Sequence, residues 1–98
     1  MTSADRILNA VEALAASADP IHRRLEAATY SLLPLQAGDF EDPADGELLE
    51  RILRGVTGVS DPSGEHGDLA MSTLAMGDEE AVRIARLILE LHRRVHAG

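Results

Sequence analysis

A chain of 98 residues has room for a single domain, 1–98, with one modest core, and an aromatic content of only 2% requires that core to be built from Leu, Ile, Val, Ala and Met. Good helix formers dominate and β-branched or aromatic runs are missing, so the composition excludes a sheet-based fold and points to an all-α one. A formal charge of −8 argues against direct nucleic-acid binding, and the absence of Cys excludes disulfides, thiolate nucleophiles and zinc–thiolate sites.

The N-terminal stretch MTSADRILNAVEALAASADP lacks the basic start and unbroken apolar run of a signal peptide. No later stretch reaches the length of a membrane span, so a cytoplasmic protein with no membrane association is expected. Ser3 is placed to cap a first helix running to about Ala18, with Ile7, Leu8, Val11, Leu14, Ala15 and Ala18 on its apolar face. Asp19-Pro20 stops that helix and opens a second, with Asp19 as its cap, from about Pro20 to Leu33. Its inner face is Ile21, Leu25, Ala28 and Leu32, and Pro34 ends it. Gly38 to Pro43 reads as a turn that tucks Phe40 inward.

From about Pro43 a third helix presents Leu48, Leu49, Ile52, Leu53 and Val56 on one side. Glu47 with Arg51 and Glu50 with Arg54 stand at the supportive i,i+4 spacing on the other. Gly55 and Gly58 mark its end. The stretch GVSDPSGEHG from Gly58 to Gly67 is the most loop-like and is expected to be the most mobile, and a short helix follows over about Asp68 to Ala75. Gly77 then leads into a last helix that opens on Asp78, Glu79 and Glu80 at its positive end and closes on Arg93, Arg94 and His96.

That last helix carries the strongest architectural signal. On a helical wheel Ala81, Val82, Ile84, Ala85, Leu87, Ile88, Leu89, Leu91 and Val95 cover an arc of about 220°, leaving a narrow stripe for Arg83, Arg86, Glu90, Arg93 and Arg94. So wide an arc has to be wrapped by the rest of the chain or by another copy. The expected architecture is a compact bundle of four long helices and one short one, with the C-terminal helix central.

Candidate chemistry is sparse. Asp39, Glu41, Asp42, Asp45 and Glu47 form an acidic cluster, but Pro43 interrupts the ligand spacing of a calcium loop and Ile52 stands where its closing Glu belongs, so a turn and a helix start are expected. Asp61, Glu65, His66 and Asp68 make a second possible ligand group and read as a solvated loop. The arginine stripe is expected to be matched internally, Arg83 by Glu79, and Arg86 and Arg94 by Glu90. His92 falls within the apolar arc, where its ring is expected to pack while one nitrogen finds a carbonyl or water. No phosphate-binding glycine loop, serine-nucleophile motif or HExxH arrangement occurs, so no catalytic residue, metal or cofactor is expected. The better clue is on the second helix, where Arg23, Ala27 and the only Tyr, Tyr30, lie opposite the inner face, either as an interface anchor or as a side covered by another helix of the same chain.

The order PIHRRLEAATYSLLPL, an acidic turn with Phe40, a helix ending in Val56-Thr57 and then MSTLAMGDEEAVRIARLILELHRRV resembles small all-helical bacterial proteins of unassigned function. At the level of fold it is similar to death-like adaptor domains and accessory proteins of bacterial antiphage systems, which implies an interaction role and no functional residue. A basic complement made up entirely of Arg fits a GC-rich bacterial genome. Arg86-x5-His92 is also similar to the Arg-x5-His pattern of the helical HEPN nucleases, which implies a metal-independent RNase site at a dimer interface. Leu87 stands where that family has a polar residue, and this spacing puts the two side chains about 120° apart on one helix. The expected function is a non-catalytic interaction module, an adaptor or regulatory accessory protein with a bacterial defence system as its candidate setting, that forms a homodimer or docks on a larger protein. The alternatives are a HEPN-like RNase or toxin using Arg86 and His92, and an acidic inhibitor of a nucleic-acid-binding protein.

Overall fold

The computed structural model describes residues 2–16, 18–56 and 76–97. Among them are four α-helices and no strand: α1 (Ser3–Ala16), α2 (Ile21–Leu32), α3 (Pro43–Val56) and α4 (Asp78–Ala97), with a 3-10 turn at Ala37–Asp39. The loop expected over Gly58 to Gly67 and the short helix over Asp68 to Ala75 lie outside the described residues.

The chain is an all-α bundle with its C-terminal helix central. α4 packs against α1, α2 and α3, while α1 also packs along α2. Directions follow from the contacts at the helix ends. His22, in the first turn of α2, reaches Met76 and Asp78 at the start of α4, so those helices run parallel. Asp45, near the start of α3, meets Arg94, near the end of α4, so α3 runs antiparallel to it. Ile84, Ile88 and Leu91 of α4 are fully buried and form a spine, joined by Ala81, against Ile7, Leu25, Leu32, Leu49 and Ile52 from the other three helices. Each of those large aliphatic side chains contributes about 1.5–3 kcal/mol of burial.

The wide arc of α4 is not wrapped all round. Its buried residues follow the i, i+3, i+4 spacing of one face, Ala85, Leu87 and Val95 are half-buried at its margins, and Val82 and Leu89 are 39% and 42% exposed. Three packed helices cover one side of a cylinder, and the surplus apolar residues are left on the other.

Other boundaries and faces also shift. Thr2, not Ser3, caps α1: its Oγ1 accepts the Asp5 N–H at 3.1 Å and the Asp5 carboxylate accepts the Thr2 N–H at 3.2 Å, a reciprocal capping box. α1 stops at Ala16, short of the expected Ala18, and its buried residues are Ile7, Ala10 and Leu14, while Leu8, Ala15 and Ala18 are exposed. In α2 Pro20, not Asp19, occupies the N-cap position, and its carbonyl accepts the Arg24 N–H at 3.0 Å. Leu25, Ala28 and Leu32 are buried as expected, and Ile21 is half-buried. Thr29 is buried with them, its hydroxyl donating to the Leu25 carbonyl at 2.7 Å, which satisfies the polar atom locally. The expected face of α3 is also the observed one, with Leu53 at its margin.

Two glycines hold elements close. Gly55 lies one residue before Val56, the last described residue of α3, and a Cβ there would come within 2.8 Å of Ile84 Cδ1. Gly46, buried in the first turns of α3, backs onto the 3-10 turn, and a Cβ there would be 2.8 Å from the Ala37 carbonyl oxygen.

Candidate interaction surfaces

The segment from Pro20 to Leu25 alternates anchored and free-standing polar side chains. The His22 Nε2 donates to the Met76 carbonyl at 2.8 Å and lies 3.5 Å from the Asp78 carboxylate. Arg24 Nη1 donates to the Leu14 carbonyl at 2.9 Å, tying the end of α1 to the start of α2. Arg23, between them, is exposed, and so are Ala27 and Tyr30 on the same side of α2. Tyr30 is 52% exposed, and exposed Leu33 follows it at the end of the helix. The three residues singled out in the sequence therefore share one outward face, opposite Leu25, Ala28 and Leu32.

A second outward face runs along α4. Val82, Arg86, Leu89 and Arg93 are all exposed and follow one another at spacings of four, three and four. Two shallow depressions border this line, one of about 490 Å³ with Val82, Arg86 and Leu87 in its wall and one of about 400 Å³ lined by Arg86, Leu89 and Arg93. The sequence pattern left open whether Val82 and Leu89 are covered by the rest of the chain or by another copy, because a wheel sums apolar residues without knowing how many neighbours there are to cover them.

The charged residues pair differently from the expected local scheme. Arg83 binds Glu80, not Glu79, through Nε at 2.9 Å and Nη2 at 2.5 Å, and this lowers the Glu80 carboxyl below its usual range. Arg94 is drawn across to α3 instead of along its own helix to Glu90. Its Nε donates to Asp45 at 2.5 Å and its Nη2 to Asp42 at 3.3 Å, and the Asp45 carboxylate raises the Arg94 pKa further. In α3 the Arg54 Nε donates to the backbone carbonyl of Glu50 at 3.4 Å.

Three of the five acids of the acidic cluster, Asp39, Asp42 and Asp45, are engaged in these pairs or in capping. Asp39 accepts the Gln36 N–H at 2.8 Å, and Asp42 accepts the Ala44 N–H at 2.9 Å while also holding Arg94. Among the described residues no group of three or more His, Asp or Glu side chains is arranged to hold a metal ion. Asp61, Glu65, His66 and Asp68 lie outside the described residues. Phe40 is half-buried against the core, so the turn does carry its ring inward.

Arg86 and His92 are not brought together within one chain. Arg86 is on the exposed line of α4, whereas His92 is half-buried at the margin of the packed face. Its Nδ1 is buried and has no protein hydrogen-bond partner among the described residues. The ring instead leans on His96, with centroids 4.3 Å apart and planes tilted by 50°.

No known protein family matches the chain, and no curated protein or solved structure shows significant similarity to it. Among the described residues no helix is long and apolar enough to cross a membrane.

Proposed function

We propose that this chain is a non-catalytic protein-interaction module, an adaptor or regulatory accessory protein whose partner docks on the Arg23, Ala27, Tyr30 face of α2. The observation that supports it is the exposure of all three residues on one side of the helix, with Tyr30 52% exposed although it is one of only two aromatic residues in the chain. An aromatic ring beside a small residue and an Arg offers a large rigid contact area at low entropic cost, the composition typical of interface hot spots. Among the described residues the buried hydrophobic side chains are all aliphatic, and Tyr30 is not one of them.

The test has two arms. Proteins captured from the native organism on the wild-type chain, and depleted on Tyr30→Ala, are produced in pure form and titrated against both. The expected result is a partner whose Kd rises tenfold or more on Tyr30→Ala, about 1.4 kcal/mol or more, with the melting temperature unchanged. A sharp fall in melting temperature on Tyr30→Ala would make the ring part of the core and overturn the assignment. Cleavage of RNA by the purified chain that disappears in both Arg86→Ala and His92→Ala, with both variants folded, would replace this reading with a nuclease.

A further inference from the structure

The exposed line of α4 extends at both ends. Glu79 lies three residues before Val82 and His96 three residues after Arg93, both exposed, so the line reads Glu79, Val82, Arg86, Leu89, Arg93, His96. Alternating spacings of three and four are those of a helix seam that packs against another helix, knobs into holes. Only two of its six positions are apolar, but long Arg side chains cover apolar neighbours with their stems while the guanidinium stays in water. Charge along the line is uneven: Glu79 stands at the start, beside Asp78, Arg86 near the middle and Arg93 toward the end, followed by His96.

That arrangement is self-complementary in one direction. If two copies of α4 lay parallel and in register, Glu79 would face Glu79 and the arginines would face each other. Turned antiparallel about a two-fold axis between Arg86 and Leu89, the six positions superimpose on themselves. Glu79 of one copy then meets the His96 and Arg93 end of the other, and Val82 and Leu89 meet the stems of Arg93 and Arg86. The two-fold repeats every favourable contact, which is the usual economy of an isologous dimer. We propose that the exposed face of α4 is a homodimer interface in which a second copy of this chain packs its own α4 antiparallel. This deepens the interaction-module reading, resting on it for the premise that the bundle's exposed anchors are there to be covered, and it leaves the α2 face free for a different partner. One helix pair spans only about 26 Å, so the buried area falls at the low end for specific complexes and the dimer is a weak one, with Kd in the micromolar range.

Sedimentation velocity from about 1 µM to about 1 mM separates the outcomes. The wild-type chain is expected to pass from monomer to dimer over this range. Glu79→Arg and Arg93→Glu should each raise Kd at least tenfold when alone, because each makes both ends of the antiparallel pair repulsive. An equimolar mixture of the two should recover association, since every facing end then carries opposite charges, and recovery shows that both variants are folded. A wild-type chain that stays monomeric across the range overturns the proposal, as does a dimer that neither single substitution weakens. Tyr30→Ala is carried through the same series. It is expected to dimerise like wild type, so a failure of the α4 interface and a failure of the α2 docking face give different results.

Discussion

At Gly46 a single methyl group decides whether the 3-10 turn can lie on α3. The nearest atoms to a Cβ there are backbone and side-chain atoms of Ala37, at 2.8–3.1 Å, and backbone cannot rotate away. Gly46→Ala is expected to destabilise the chain by about 1–3 kcal/mol in urea unfolding, in spite of the better helix propensity of Ala. At Gly55 the obstacle is the end of the Ile84 side chain, which can shift, and the propensity gain of about 1 kcal/mol offsets the crowding. Gly55→Ala should therefore leave stability within about 1 kcal/mol of wild type. Equal losses at the two positions would show that the turn does not depend on close approach at Gly46. Neither glycine was legible for what it does: Gly55 resembles a helix terminator in sequence, and Gly46 gives no local signal, because the reason for each is an atom 9 or 29 residues away. The same holds for Arg94, whose partners Asp45 and Asp42 lie on another helix. Local i,i+4 rules favour Glu90, but a carboxylate buried to 8% exposure at the start of α3 is the stronger claim on a guanidinium.

Boundaries at the scale of the element were legible where a residue has one stereochemical use. Pro43 opens α3 and Gly77 precedes α4, as proline and glycine punctuation predicts. The start of α1 differs by one residue because Thr2 and Asp5 stand at the spacing of a capping box, which Ser3 does not share with any nearby acceptor of that kind. The Asp5 carboxyl is lowered from its ordinary 3.8 chiefly by the Thr2 backbone and side-chain hydrogen bonds, with His96 a lesser contributor. A carboxyl lowered in the folded state stabilises it above the ordinary value, and that contribution is lost as pH falls through the lower folded value. The difference in urea midpoint between wild type and Asp5→Ala should thus be constant near neutrality and shrink as pH is taken below 3.8. A difference that persists unchanged to pH 2 would mean that the ionised cap is not its source. The face of α1 was less legible. Its apolar residues cover much of the wheel, and only the positions of α2 and α4 decide that Ala10 is inside and Leu8 outside.

For the whole molecule, periodicity sufficed to place α4 at the centre but not to say which of its apolar residues make it central. The arc of about 220° mixes two populations: a buried spine that holds three helices together and an exposed remainder that the chain leaves over. Adjacent residues separate them. Ile88 is fully buried and Leu89 is 42% exposed, so one step along the helix takes an aliphatic side chain out of the core. Ile88→Ala should cost about 2–5 kcal/mol, because a cavity opens where the other helices meet α4, and a small domain of typical stability of about 5–15 kcal/mol has few such residues to lose. Leu89→Ala, measured at a concentration low enough to keep the chain monomeric, should fall within about 0.5 kcal/mol of wild type. If the two substitutions cost the same, both sides of α4 are covered within one chain and the exposed line is not available to a second copy. If only Ile88→Ala is costly, Leu89 is not held in place by the stability of the monomer. Its loss should then appear as weaker association at high concentration, where the α4 face is the surface being read.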